Sequence, residues 1–231
     1  MNDAERGGRF GVTAVIAAAV AVSLLLLLGV VLYDILTDRA ASYLLRDATS
    51  VGGVLPEAGA VSEFGIGVWT VSAAVCAFTG ALLFRCRDRD WSVFFWVTSA
   101  LLAWFALDDQ YQVHETLVRK YLGIGGSVYI VVYGVAILAW LWIFRRRLVD
   151  GWQILAAALA ALFVSVMSDF VTDRAYEGES DGSLLTISAD SMGIVEDYAK
   201  LLGILLWATF LVRLAYRRSA ERVIQQPESP K

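Results

Sequence analysis

Long apolar runs separated by short polar stretches fill most of this chain, and run length decides the class of element. A helix that crosses a bilayer takes about 20 mostly apolar residues, within a range of roughly 17–25. Residues 10–33, 64–84, 91–107, 127–144 and 152–170 meet that directly. A sixth segment, 194–214, carries Glu196, Asp197 and Lys200 in its first two turns and is apolar from Leu201 onward. Arg213, Arg217 and Arg218 mark its far end, and about 20 residues of helix counted back from them reach Ile194. The pattern predicts an all-α polytopic membrane helix bundle with six transmembrane helices, formed by residues 1–219 as one unit. The tail 220–231, with Gln-Gln-Pro-Glu-Ser-Pro-Lys, is expected to be disordered.

The first run follows Arg6 and Arg9 as a signal peptide would, but it exceeds the roughly 7–15 residues of a signal-peptide apolar region, and no small-residue cleavage site follows. It is therefore expected to remain as a span.

Basic residues sort by connection. Thirteen of the 19 lysines and arginines lie at the amino terminus, in the second and fourth connections or in the tail. Among them are Arg85, Arg87 and Arg89 and the run Arg145-Arg146-Arg147. By the positive-inside rule both termini are cytoplasmic, and an even number of spans agrees. Of the 23 acids, 16 fall on the other side. The expected location is the cell membrane, with a strongly negative extracytoplasmic face. The longer connections, 34–63, 108–126 and 171–193, are also on that side, so there is room for a site there. Within them, 42–48 suits a short surface helix and 177–183 a mobile polar loop.

Composition supports the membrane reading. The chain of 231 residues is 58% hydrophobic and 18% charged, with a mean hydropathy of +0.62, whereas soluble domains run at about 45–50% apolar and about 25% charged. A net charge of −4 without a basic aromatic face excludes a nucleic-acid partner. The implied partners are the lipid bilayer and a second copy or another membrane protein. Trp69 toward the outside and Trp91, Trp140, Trp142 and Trp152 toward the inside suit aromatic belts.

Candidate chemistry concentrates where the third span ends, in Asp108-Asp109-Gln-Tyr111-Gln112-Val-His114-Glu115. If that helix continues outward, Asp108, Gln112 and Glu115 share a stripe. Similar spacing recurs in Asp34 and Asp38 after the first span, in Asp169 and Asp173 at the fifth beside Ser165, Ser168 and Thr172, and in Glu196 and Lys200 in the sixth. Residues four apart share a helix face, so several helices can aim polar groups inward at one level. Asp34, Asp38 and Asp173 can also be solvated helix ends. Glu196, Asp197 and Lys200 must lie within the outer leaflet if the sixth helix spans, where such groups face the bundle interior and pair. Glu196 and Lys200 are equally suited to a structural salt bridge.

Clustered carboxylates repel unless a cation or protons neutralise them. Asp108, Asp109, His114, Glu115 and Asp169 are the candidate ligands of a divalent metal. With His114 the set suits Zn, Mn or Fe, and without it Ca. A lone histidine argues against a multi-histidine zinc site, and His114 is equally suited to a pH-sensitive role. Cys76 and Cys86 form no C-x-x-C pair, the Gly-rich turns lack the context of a nucleotide loop, and nothing signals haem. The small-residue stripe Ala156, Ala160 and Val164, with Ala157 and Ala161, is expected to pack on a neighbouring helix.

The function expected is therefore cation binding in an outward-facing carboxylate pocket, serving metal-assisted hydrolysis of a lipid or extracytoplasmic substrate. A proton- or cation-coupled transporter is the alternative, although the inner halves of the spans are almost wholly apolar. A non-enzymatic sensor or assembly subunit is the other.

Overall fold

The structure, a computed structural model, describes residues 59–113, 126–177 and 184–224 and a few single positions, with side chains over 59–113, 128–168 and 195–222. The chain divides into two compact units, Met1–Ala58 and Gly59–Lys231. In the first, the described positions Leu25, Leu28, Leu32, Ile35 and Leu36 are helical. Most of the 10–33 segment, the 42–48 surface helix, Asp34 and Asp38 lie outside the described residues.

The second unit is built from helices: α1 (Ala60–Arg85), α2 (Arg89–Tyr111), α3 (Gly126–Phe144), α4 (Trp152–Glu177) and α5 (Leu184–Ile224). Among the described residues there is no strand. Three stretches are long and apolar enough to cross a membrane, α1, α2 and the Val195–Arg222 part of α5, while α3 and α4 contribute the shorter apolar stretches Val128–Phe144 and Trp152–Ser168.

Helix boundaries depart from the apolar runs where the chain meets water. Most of the expected 171–193 connection is helix, since α4 runs to Glu177 and α5 starts at Leu184. Hydropathy marks the bilayer, whereas an established helix propagates by one hydrogen bond per added residue. For the same reason Asp173 belongs to α4 and not to a connection. Likewise α5 continues past Ala220 to Ile224, so the first residues of the expected disordered tail are helical. Arg222 there, and Arg218 one turn earlier, are held by Asp88.

α1 and α2 form an antiparallel pair around a tight turn in which Arg87 takes a positive φ of 62°. α4 lies along α5, and α1 packs on both α2 and α5. At the α4/α5 contact a Cβ on Gly203 would fall 2.6 Å from Leu162 Cγ and 3.0 Å from the Ala158 carbonyl oxygen; only glycine allows that approach. The packing face of α4 is thus Leu155, Ala158, Leu162 and Ser165, and Ala156, Ala160 and Val164 are exposed. This corrects the expectation for the small-residue stripe. In a helix apolar on every side, residue size does not reveal the face, and the notch on the partner helix selects it.

An aromatic core runs through the bundle. Trp207 lies 5.8 Å from Trp69 and 5.6 Å from Trp140, which lies 5.9 Å from Phe94. Trp69 and Trp140 are therefore core residues, not members of an interfacial belt, whereas Trp142 and Trp152 are exposed. Hydroxyls tie the helices together inside this core. Ser92 Oγ donates to the Gly80 carbonyl at 2.8 Å and Ser99 Oγ to that of Ala73 at 2.8 Å, both between α2 and α1. Trp140 Nε1 donates to Thr98 Oγ1 at 3.0 Å, fixing α3 on α2. Packing and interhelical hydrogen bonds are what hold helices together in lipid, where apolar burial offers little. Outside, Phe64, Val71 and Phe78 expose one apolar stripe of α1 seven residues apart, a surface suited to hydrocarbon rather than water. These helices suggest a membrane location.

Candidate functional site

α2 stops where its charges begin. Gln112 caps it in the left-handed region, at φ 47° and ψ 46°, with its backbone N–H on the Asp108 carbonyl. A left-handed residue ends the 3.6-residue repeat, so the helical face that carries Asp108 does not run on past Gln112. His114 and Glu115 lie outside the described residues.

Asp108 and Asp109, adjacent in sequence, diverge by about 100° around the helix and meet different partners. Asp108 is only 2% exposed and is hydrogen-bonded to the Tyr133 hydroxyl of α3. That hydroxyl in turn accepts from Trp104 Nε1 at 3.1 Å. Tyr129 packs edge-on against Tyr133 at 5.5 Å, and Phe105 does the same at 5.6 Å. Asp109 instead takes Lys200 of α5, whose Nζ lies 2.8 Å from Oδ1. This interhelical bridge was not foreseen, because sequence spacing pairs Lys200 with Glu196 on its own helix. Side-chain exposures are 39% for Lys200 and 12% for Asp109.

The site thus joins α2, α3 and α5. Glu196 is half-buried one turn from Lys200, Asp197 is exposed, and Ser165 and Ser168 of α4 are buried. Asp169 and Asp173 continue the same helix as Ser168, but their side chains lie outside the described residues. Among those that are described, no three potential ligands form a metal-sized cluster. Below the site Trp69, Phe105, Trp207, Trp140 and Phe94 fill the interior. No charged residue occurs in 64–84, 91–107, 126–144, 152–168 or 201–212, so these five stretches offer no chain of charges from one end to the other.

The opposite end is dominated by arginine. Asp88, in the turn before α2, accepts from Arg218 Nη2 at 3.0 Å and from Arg222 Nε and Nη2 at 3.0 and 2.6 Å. Burial alone would raise its carboxyl, yet the Arg222 hydrogen bonds and the two guanidinium charges outweigh burial and hold it below the usual carboxylate range. Asp150 meets Arg213 at 3.7 Å and also pairs with Arg217. Sequence reasoning missed Tyr133 and this role of Asp88. The available signals were a tyrosine pair four apart in an otherwise apolar helix and an arginine pair four apart, Arg218 and Arg222.

The family model for a domain of unknown function (DUF8692) matches residues 12–214. The chain belongs to this family. No curated protein and no solved structure matches the chain. The DUF8692 region contains Asp108, Asp109, Tyr133 and Lys200 and ends before Arg217, Arg218 and Arg222. The acidic site therefore lies wholly inside the DUF8692 domain, whereas the clamp on Asp88 draws on helix beyond it.

Proposed function

We propose that the protein is a six-span protein of the cell membrane with both termini cytoplasmic, and that its acidic, extracytoplasmic end binds a divalent cation. Two ends of opposite charge support the orientation. Among the residues with described side chains, Arg85, Arg87, Arg89, Arg145 to Arg147 and Arg213 to Arg222 gather at one end, and Glu63, Asp108, Asp109, Glu196 and Asp197 with Lys200 at the other. Arginine-rich ends stay cytoplasmic.

The observation that carries the binding reading is the burial of Asp108 beside the ion-paired Asp109. Carboxylates gathered at one end, one of them buried, are stabilised by a cation among them, which supports a cation at this end. Asp169, on the helix whose Ser165 and Ser168 are buried, is the third ligand of the proposal, with His114 and Glu115 beyond α2. A bound divalent ion would supply Lewis acidity toward water. That chemistry, confined to one face, suits hydrolysis of a lipid or extracytoplasmic substrate better than transport, since the interior below is aromatic. A proton is the second reading, favoured by the Trp104–Tyr133–Asp108 hydrogen-bond chain.

The test is thermal unfolding of the purified protein with Ca, Mg, Mn, Zn or Fe. Stabilisation should reach about 2.7 kcal/mol at a hundredfold excess over Kd, fade as falling pH protonates the ligands, and vanish in Asp169→Asn. No shift with any of these metals near neutral pH overturns the metal reading and leaves the proton.

A further inference from the structure

The arginine-rich end holds a cavity of about 450 Å³ lined by Asp90, Ile143, Arg145, Arg146 and Arg147. It lies between the first turn of α2 and the residues that follow α3. Two of its three guanidinium groups are positioned by aromatic rings. Arg145 stacks 4.3 Å over Trp142 and donates to the Trp142 carbonyl oxygen at 2.9 Å. Arg147 lies 5.8 Å over Trp91 and 5.6 Å over Phe144, with Asp90 at 3.9 Å.

Three arginines against one aspartate leave the lining positive, and a guanidinium is shaped for two parallel hydrogen bonds to a phosphate. The cavity also has an apolar side. Ile143 lines it and is 64% exposed, and its neighbour Trp142 is 70% exposed. Both sit in the last turn of an apolar helix, so they point the way from the charged mouth toward the bilayer. A free anion has no use for that surface, whereas an acyl chain does. Basic pockets between helices at the cytoplasmic side are where anionic headgroups bind.

We propose that this cavity binds the phosphate of an anionic phospholipid, with the acyl chains lying over Trp142 and Ile143. The proposal is independent of the cation site at the other end. It is tested by native mass spectrometry of the detergent-purified protein mixed with phosphatidylglycerol or with phosphatidylcholine, and with glycerol phosphate as a soluble competitor. Phosphatidylglycerol should be retained several-fold more than phosphatidylcholine. Arg145→Gln/Arg146→Gln, which spares the Arg147 contacts, should lower that retention about tenfold or more. Asp90→Asn removes the one acidic group of the lining and should raise it, a gain that misfolding cannot produce. Glycerol phosphate should compete only weakly. Equal retention of the two lipids, no change in the double variant, a loss in Asp90→Asn, or displacement by glycerol phosphate as readily as by lipid would each overturn the proposal.

Discussion

Lys200 Nζ lies 2.8 Å from Asp109 Oδ1, so a charge in the first half of α5 is answered by the last turn of α2, 91 residues away in sequence. Removing the lysine strands a carboxylate that is largely buried. Lys200→Met should therefore destabilise the protein by about 1–3 kcal/mol, short of the roughly 3–5 kcal/mol of a fully buried pair because Lys200 is partly solvated. Lys200→Met/Asp109→Asn should recover part of the loss. Thermal melts that are equal for the single and double variants would show that the bridge is merely a solvated contact.

Tyr133 ties α3 to the same site. Tyr133→Phe keeps the ring contacts with Phe105 and Tyr129 but takes the hydroxyl from Asp108 and the acceptor from Trp104, and should cost about 1.5–3 kcal/mol, the range for hydrogen bonds to charged groups. Trp104→Phe should cost less, about 0.5–1.5 kcal/mol, since it removes a neutral bond at an exposed residue. A Tyr133→Phe protein that melts like the wild type contradicts the network.

At the other end, the pH dependence has a definite sign. Asp88 is held below its ordinary value of 3.8, so its clamp contributes stability in full above that pH. The contribution is lost as pH falls through the lower folded-state value. Asp88→Asn should lower the melting temperature near neutral pH and flatten the acid limb of the stability curve below about pH 4. A variant whose melting temperature retains the wild-type acid dependence would show that Asp88 is not the group responsible.

Orientation is open to direct labelling. In a background without Cys76 and Cys86, Ser62→Cys at the acidic end should react with an impermeant thiol reagent applied to intact cells. Val149→Cys, exposed at the arginine-rich end, should react only after permeabilisation. Reaction of Val149→Cys from outside reverses the proposed topology.

Much of this architecture was visible in the order of residues. Apolar runs locate α1 to α5, and Arg87 with Arg89 marks the turn between α1 and α2, because run length and charge act through the bilayer itself. Lateral contacts were not visible. Helices such as α4, apolar on every side, carry no periodicity that names a buried face, and the Gly203 notch that selects Leu162 and Ala158 lies on another helix. The site shows the same division. Asp108, Asp109 and Lys200 stand out as charges next to apolar sequence, yet their partners are set by helix packing: Tyr133 for one acid and Lys200 for the other. The end of α2 escaped notice because Gln112 has no glycine-like signature for its left-handed conformation.

The central claim, that the acidic end holds a divalent cation, is tested most directly by elemental analysis of the wild type and Asp108→Asn purified in detergent near neutral pH after growth with supplied metals. A stoichiometric divalent metal in the wild type, lost in a variant that still inserts and elutes as the wild type does, is the expected result. A wild type free of Ca, Mg, Mn, Zn and Fe, or one whose metal content is unchanged by Asp108→Asn, would contradict it.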